Sequence, residues 1–270
     1  MQPACNQLIN YLSELAENNY SYNTINAYKA AITQTLSVTG NFYFNQNPLL
    51  IRFMKGVFLK NRPKPKYTST WDVGKVLTYL KSLYPLENLD LKSLTMKLAS
   101  LIALTTAQRV QTLISLNIKN MSDHGEYVVF TISDLQKTSR PGHDMKKVKI
   151  NSFSDKSCCV LHTLRYYLEK TKDLRKTSKL LVSFKTYDEI STCTVARWLK
   201  EILKKAGIDE KVFSAHSYRS ASTSAAFARG VQLKDILETA NWANAKTFYT
   251  FYRRELSNTY SDTILSSSKN

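Results

Sequence analysis

Two prolines one residue apart, Pro63 and Pro65 in the stretch KNRPKPKYTST, constrain the fold more than any other feature of the chain. Each lacks an amide proton, fixes its own φ and pushes the residue before it out of the helical region. A regular helix cannot cross this segment. Lys60, Arg62, Lys64 and Lys66 interleave with the prolines, so the stretch reads as an extended basic linker. The expected partition is a helical domain over residues 1–60, a linker over 61–69 and a larger domain over 70–270.

Ahead of the linker, CNQLINYLSELAE sets Leu8, Leu12 and Leu15 near one face of a helix. NTINAYKAAITQTL predicts a second helix with Asn23 or Thr24 as its cap, and NPLLIRFMKGVFLK a third, opened by Asn47-Pro48. Beyond the linker, TWDVGKVLTYLKSL and LKSLTMKLASLIALTT predict helices, the second apolar enough to be central, and AQRVQTLISL over 107–116 continues helically. The pattern then changes. YVVFTI (127–132) and KKVKI (146–150) are short β-rich runs joined by a polar loop holding Pro141-Gly142, and NIKNMS precedes them. Helix returns over 158–172, where Cys158 and Cys159 open a buried helix, and over 192–205, 216–229, 233–239 and 245–254. The fold class expected is mainly α with a small antiparallel sheet of about three strands.

Thirty-eight Lys and Arg against 21 Asp and Glu leave a net charge of +17, spread along the whole chain. That excess attracts polyanions, nucleic acid first among them, and its spread argues against a simple basic tail. The four cysteines show no C-x-x-C spacing and no paired histidines, which argues against a zinc site. No apolar run is long enough to cross a membrane, and the start lacks the marks of a secretory signal. A soluble intracellular protein is expected, nuclear in a eukaryotic host and cytoplasmic otherwise.

Four places carry candidate chemistry. Arg109 follows an apolar helix in TTAQRVQTL, where a partner carboxylate is the plain structural reading. Lys137 stands between a strand and the hairpin loop in LQKTSRPG, where an exposed lysine is unremarkable in a structural sense. His216 and Arg219 share a helix face at i, i+3 in AHSYRSAS. Trp242, Tyr249 and Tyr252 lie in NWANAKTFYTFYRRE, which also reads as an aromatic helix filling a core.

Taken in order, an arginine, a hairpin lysine, His-x-x-Arg, a tryptophan and a tyrosine resemble the ordered set of the tyrosine recombinase (phage integrase) superfamily. The resemblance covers nearly the full chain, and QRVQTL, KTSRPG, HSYRSASTSAA and NW…TFYTFYRRE are most similar to recombinases of eukaryotic mobile elements of the DIRS and crypton types. It implies an N-terminal helical core-binding (SAM-like) domain and a C-terminal catalytic domain. It also implies cleavage and rejoining of double-stranded DNA through a covalent 3′-phosphotyrosine, with no metal and no cofactor, by a homo-oligomer that is a tetramer on DNA. Arg109 and Arg219 would hold the phosphate, a task for which planar guanidinium forks suit. His216 would complete the cradle or help remove the tyrosine proton, Lys137 would protonate the departing 5′-oxygen, and Trp242 would donate to phosphate or pack the nucleophile helix. Spacing from Trp242 and the FYRR setting favour Tyr252 as nucleophile, with Tyr249 as the alternative packing on the same helix.

Two departures accompany the resemblance. Thr112 stands where bacterial members carry an acidic residue after the first arginine, leaving Gln108 or Gln111 to support Arg109, and Asn241 rather than glycine precedes Trp242. DNA contacts are expected from Asn26, Lys29 and Thr33 on the second helix, from Lys60, Arg62, Lys64 and Lys66 in the linker, and from Arg140 in the hairpin loop. Residues 255–270 are the candidate for a segment exchanged between protomers. A catalytically silent DNA-binding protein that keeps the fold, and a type IB topoisomerase, are the alternative readings of the same residues. Retention of every catalytic group weighs against the first, and the small separate helical domain against the second.

Overall fold

The computed structural model describes residues 3–40, 44–63, 69–134, 142, 145–242 and 244–252. The chain divides into two compact units, Met1–Lys66 and Tyr67–Asn270. Lys64 and Lys66 of the expected linker lie outside the described residues, as do Lys137 and Arg140 of the hairpin loop and the whole of 255–270.

Among its described residues the first unit holds the α-helices α1 (Pro3–Glu17), α2 (Tyr22–Gly40) and α3 (Pro48–Lys60). The Asn47 side chain accepts from the amides of Leu49 and Leu50, and Pro48 at the first helical position has no amide to satisfy, so α3 starts where the sequence predicts. Leu8 and Leu12 of α1 meet Ile25 of α2, Phe44, and Leu50, Met54 and Val57 of α3 in one apolar core, with Leu15 packed at its edge. Thr33 belongs to the buried side of α2, 3% exposed, with its hydroxyl donating to the Ala30 carbonyl. The expectation that it reaches DNA is therefore wrong: the stripe through Asn26 and Lys29 turns inward at Thr33.

The second unit is built around α5 (Leu91–Thr106), which packs against α7 (Val160–Thr171), α8 (Thr192–Lys205) and α9 (Ser217–Ala228). Asp90 caps its start by accepting from the Ser93 amide. Helix α4 (Val73–Ser82) lies against α8 and α9. Strands β1 (Met121–Asp123), β2 (Tyr127–Thr131) and β3 (Lys147–Asn151) form an antiparallel sheet in that order, with Val128 opposite Ile150 and Phe130 opposite Val148. Those four residues share one buried face, and β3 lies against α5.

The chain departs from a continuous helix after α5. Ala107 adopts the left-handed conformation at φ 49, so α5 ends there and a separate short helix, α6 (Val110–Ser115), begins after Arg109. The expected helical run over 107–116 is thus broken at its first residue. Nothing local marks the break, because Ala is the best helix former and Pro and Gly are absent. Its cause is tertiary: the Ala107 carbonyl is taken by a side chain from α9.

Candidate active site

Helix α9 is rich in small residues (SYRSASTSAAFA), which let it press close to its neighbours. Ser220, Ala221, Ser224 and Ala225 are all buried. Its hydroxyls bond outward to other segments: Ser222 donates to the Leu104 carbonyl and Ser224 to the carbonyl of Tyr252. At its start, Ser217 accepts from the indole of Trp71 at 2.8 Å.

Arg219, in the first turn of α9, is 1% exposed. Its Nη1 donates to the Ala107 carbonyl and its Nη2 to the Ala240 carbonyl, each at 2.6 Å. The guanidinium also lies 4.4 Å from the ring centroid of Trp242 and 5.7 Å from that of Tyr252. Burial, then the charge of Arg109, push its pKa down to about 10, against the opposing pull of Tyr252. Arg219 thus keeps its charge at neutral pH with no carboxylate partner among the described residues. The carbonyl dipoles hold it while leaving its full charge for another group.

Arg109 stands at the N-terminal boundary of α6, two residues after the left-handed Ala107, so the break in α5 is what carries it towards Arg219. Thr112 is buried and offers no charge. Gln108 does not support Arg109 either; its amide donates to the Thr106 and Thr239 carbonyls and ties the break to α10 (Leu233–Thr239). Asn241 sits at φ 52, a conformation that asparagine tolerates better than most residues, which explains how it serves where the family has glycine.

A single helical turn, Ala245–Thr247, runs into a π turn over Phe248–Tyr252, the wider-bore geometry often met at functional sites. Phe248 and Tyr252 join Ala107, Ile236, Ala240 and Trp242 in a small apolar cluster separate from the main core. Tyr252 is only 8% exposed, yet its hydroxyl lies 3.0 Å from Nε2 of His216. Tyr252 thus fills this cluster and also sets its hydroxyl beside a histidine. Tyr249 differs: it is 48% exposed and packs edge-on against Phe248 of the same segment.

Two buried donors here, Arg219 Nε and Trp242 Nε1, have no hydrogen-bond partner among the described residues. Buried N–H groups left unpaired cost about 1–3 kcal/mol each, so a pair within one cationic site marks a place for an acceptor. Among the described residues no group of His, Cys, Asp or Glu is arranged to hold a metal ion.

The remaining expected DNA contacts are on the first unit. Asn26 and Lys29 line a groove of about 380 Å³ between α2 and α3, with Tyr22, Met54, Lys55 and Phe58. Lys60 and Arg62 are exposed at the end of α3. One cation of the second unit went unnoticed in the sequence. Lys146, just before β3, stands close enough to Arg109 and Arg219 for both to act on its charge. Strand alternation from Val148 and Ile150 was the signal that would have found it.

Comparison with known proteins agrees with this geometry. The phage integrase family matches residues 77–258. The fold is similar to that of XerH site-specific recombinase bound to palindromic difH, at 16% identity and a TM-score of 0.69 over 97% of this chain and 71% of that one. It is also similar to the Tn1549 transposon integrase in complex with transposon right end DNA (15% identity, TM-score 0.64, 98% and 85% covered). XerA recombinase is similar at 16% identity and a TM-score of 0.54, with 98% and 99% covered. No curated protein matches in sequence. With the ordered Arg, His-x-x-Arg, Trp and Tyr set brought together in one site, and the family matched across most of the second unit, the chain belongs to the phage integrase family, the tyrosine recombinases.

Proposed function

We propose that this recombinase cleaves and rejoins duplex DNA through a covalent 3′-phosphotyrosine at Tyr252. The observation that carries the reading is the 3.0 Å approach of Tyr252 Oη to His216 Nε2, beside a buried arginine held by backbone carbonyls. His216 Nε2 takes the phenol proton as the phenolate oxygen attacks phosphorus. The bond from phosphorus to the 5′-oxygen breaks, and that oxygen leaves with a proton. The phosphotyrosine ester keeps the energy of the broken bond, so attack by a 5′-hydroxyl reverses the step and reseals a strand.

Negative charge builds on the non-bridging oxygens during attack. Arg109 and Arg219 face that charge, and the unpaired N–H groups of Arg219 and Trp242 supply directed donors. The proton for the 5′-oxygen is assigned to Lys137, on the resemblance alone. Strand exchange requires four such cleavages, so the working form is a tetramer on DNA. Integration or excision of a mobile element is the outcome that the similarity to a transposon integrase supports. The protein acts where its DNA lies, in the nucleus of a eukaryotic host or otherwise in the cytoplasm.

Nicked suicide duplexes with a randomised core, resolved on a denaturing gel, test the reading. The unaltered protein is expected to form a protein–DNA adduct, Tyr252→Phe none, and Tyr249→Phe an adduct at a near-normal rate. An adduct that survives Tyr252→Phe would sink the assignment.

A further inference from the structure

In β3 the apolar residues Val148 and Ile150, each 2% exposed, face the core while Lys147 and Lys149 face out. Alternation puts Lys146 on the inward face with Val148 and Ile150. The Ile132 amide donates to the Lys146 carbonyl at 2.8 Å, which extends the β2–β3 ladder by one rung. Lys146 therefore lies across from Ile132, itself 3% exposed. A half-buried lysine occupies a position where the sheet's pattern asks for an apolar side chain.

What surrounds it is cationic. Partial burial, then the charges of Arg109 and Arg219, hold its ammonium below the ordinary lysine value. None of the ion pairs among the described residues involves Arg109, Lys146 or Arg219. Three neighbouring cations repel one another, and among the described residues no carboxylate pairs with any of them; an anion between them would relieve that repulsion.

We propose that Lys146 is a third cation of the phosphate cradle, donating to a non-bridging oxygen of the scissile phosphate beside Arg109 and Arg219. The inference rests on the strand-transfer reading above. The role is electrostatic, with no proton transferred, and so differs from protonation of the 5′-oxygen by Lys137.

Three versions of the nicked duplex pool separate the possibilities: a phosphodiester, a methylphosphonate and a 5′-bridging phosphorothiolate. On the phosphodiester, Lys146→Met is expected to slow adduct formation on the order of 100-fold, and Lys146→Arg to recover most of the rate. The methylphosphonate lacks the charged non-bridging oxygen, so on it Lys146→Met and the unaltered protein should react at similar rates. The phosphorothiolate leaves as a thiolate that needs no proton, and should not restore the variant. An unchanged rate on the phosphodiester, an undiminished deficit on the methylphosphonate, or full restoration by sulfur would each overturn the proposal. Lys146→Gln carries the same comparisons should the methionine variant not fold. Failure of the unaltered protein to form any adduct would instead overturn the function on which the proposal depends.

Discussion

Replacing Arg219 by lysine keeps the charge and removes the fork, which makes it a sharp test of how the site is held. Arg219 satisfies the carbonyls of Ala107 and Ala240 with separate nitrogens at 2.6 Å each, while its plane lies over Trp242. An ammonium is a single atom; it cannot keep both carbonyls at that distance and also turn a donor towards phosphate. Losing one charge-assisted bond costs about 1.5–3 kcal/mol. The weakened contact with the indole adds about 1 kcal/mol. Together the folded state should lose about 2.5–4 kcal/mol, read as a lower midpoint in urea unfolding followed by tryptophan fluorescence. Adduct formation should fall a further ~10²–10³-fold at a temperature where the variant is fully folded, because a donor to the developing charge is gone. A variant within about 0.5 kcal/mol of the unaltered protein, the range of an ordinary surface substitution, and within about threefold in rate, would refute the argument.

Further outcomes are expected elsewhere. Lys97 is fully buried in α5, donates to the Leu83 carbonyl, and burial pushes its pKa down to about 8. Between that value and the ordinary lysine range the unfolded chain binds the extra proton, so this group makes stability rise with pH through that window; below it the cost of the buried charge is fully present. Urea unfolding of the unaltered protein and of Lys97→Met should therefore converge by roughly 2–3 kcal/mol between pH 7 and pH 10, and a pH-independent difference would contradict this. Ala107→Val puts a β-branched side chain at a left-handed, buried position; it should cost about 2–4 kcal/mol in thermal unfolding, and the displaced Ala107 carbonyl should slow adduct formation as well.

The readable parts of the chain were those where local chemistry and tertiary demand agree. Asn47-Pro48 starts α3 because the cap and the missing amide act within one turn, and strand parity alone orients Val128, Phe130, Val148 and Ile150. The ordered site residues were legible through their resemblance, while their convergence was not: Arg109 reaches Arg219 only because α5 breaks at Ala107, and the bond that fixes the break comes from a residue far along the chain. The central place of α5 was legible from its apolar run, while the burial of Lys97 within it follows from packing on nearly every side of the helix. Thr33 was assigned to the surface by the average habit of a small hydroxyl residue, whereas packing turns it inward. Lys146 was missed because strand KKVKI was read for its existence and not for its faces.

The bond from the Trp71 indole to Ser217 has a consequence for how the chain must be cut and how it folds. Trp71 stands at the beginning of the second unit, yet it holds the residue next to His216 and stacks edge-on against Tyr218 at 5.1 Å between centroids. Contacts so distant in sequence are closed late, after most loop entropy has been spent. A fragment that began a few residues beyond Trp71 would contain every residue of the site and still lack the clasp on the first turn of α9. In this fold the boundary of a working catalytic fragment is set by a tryptophan that takes no part in the chemistry.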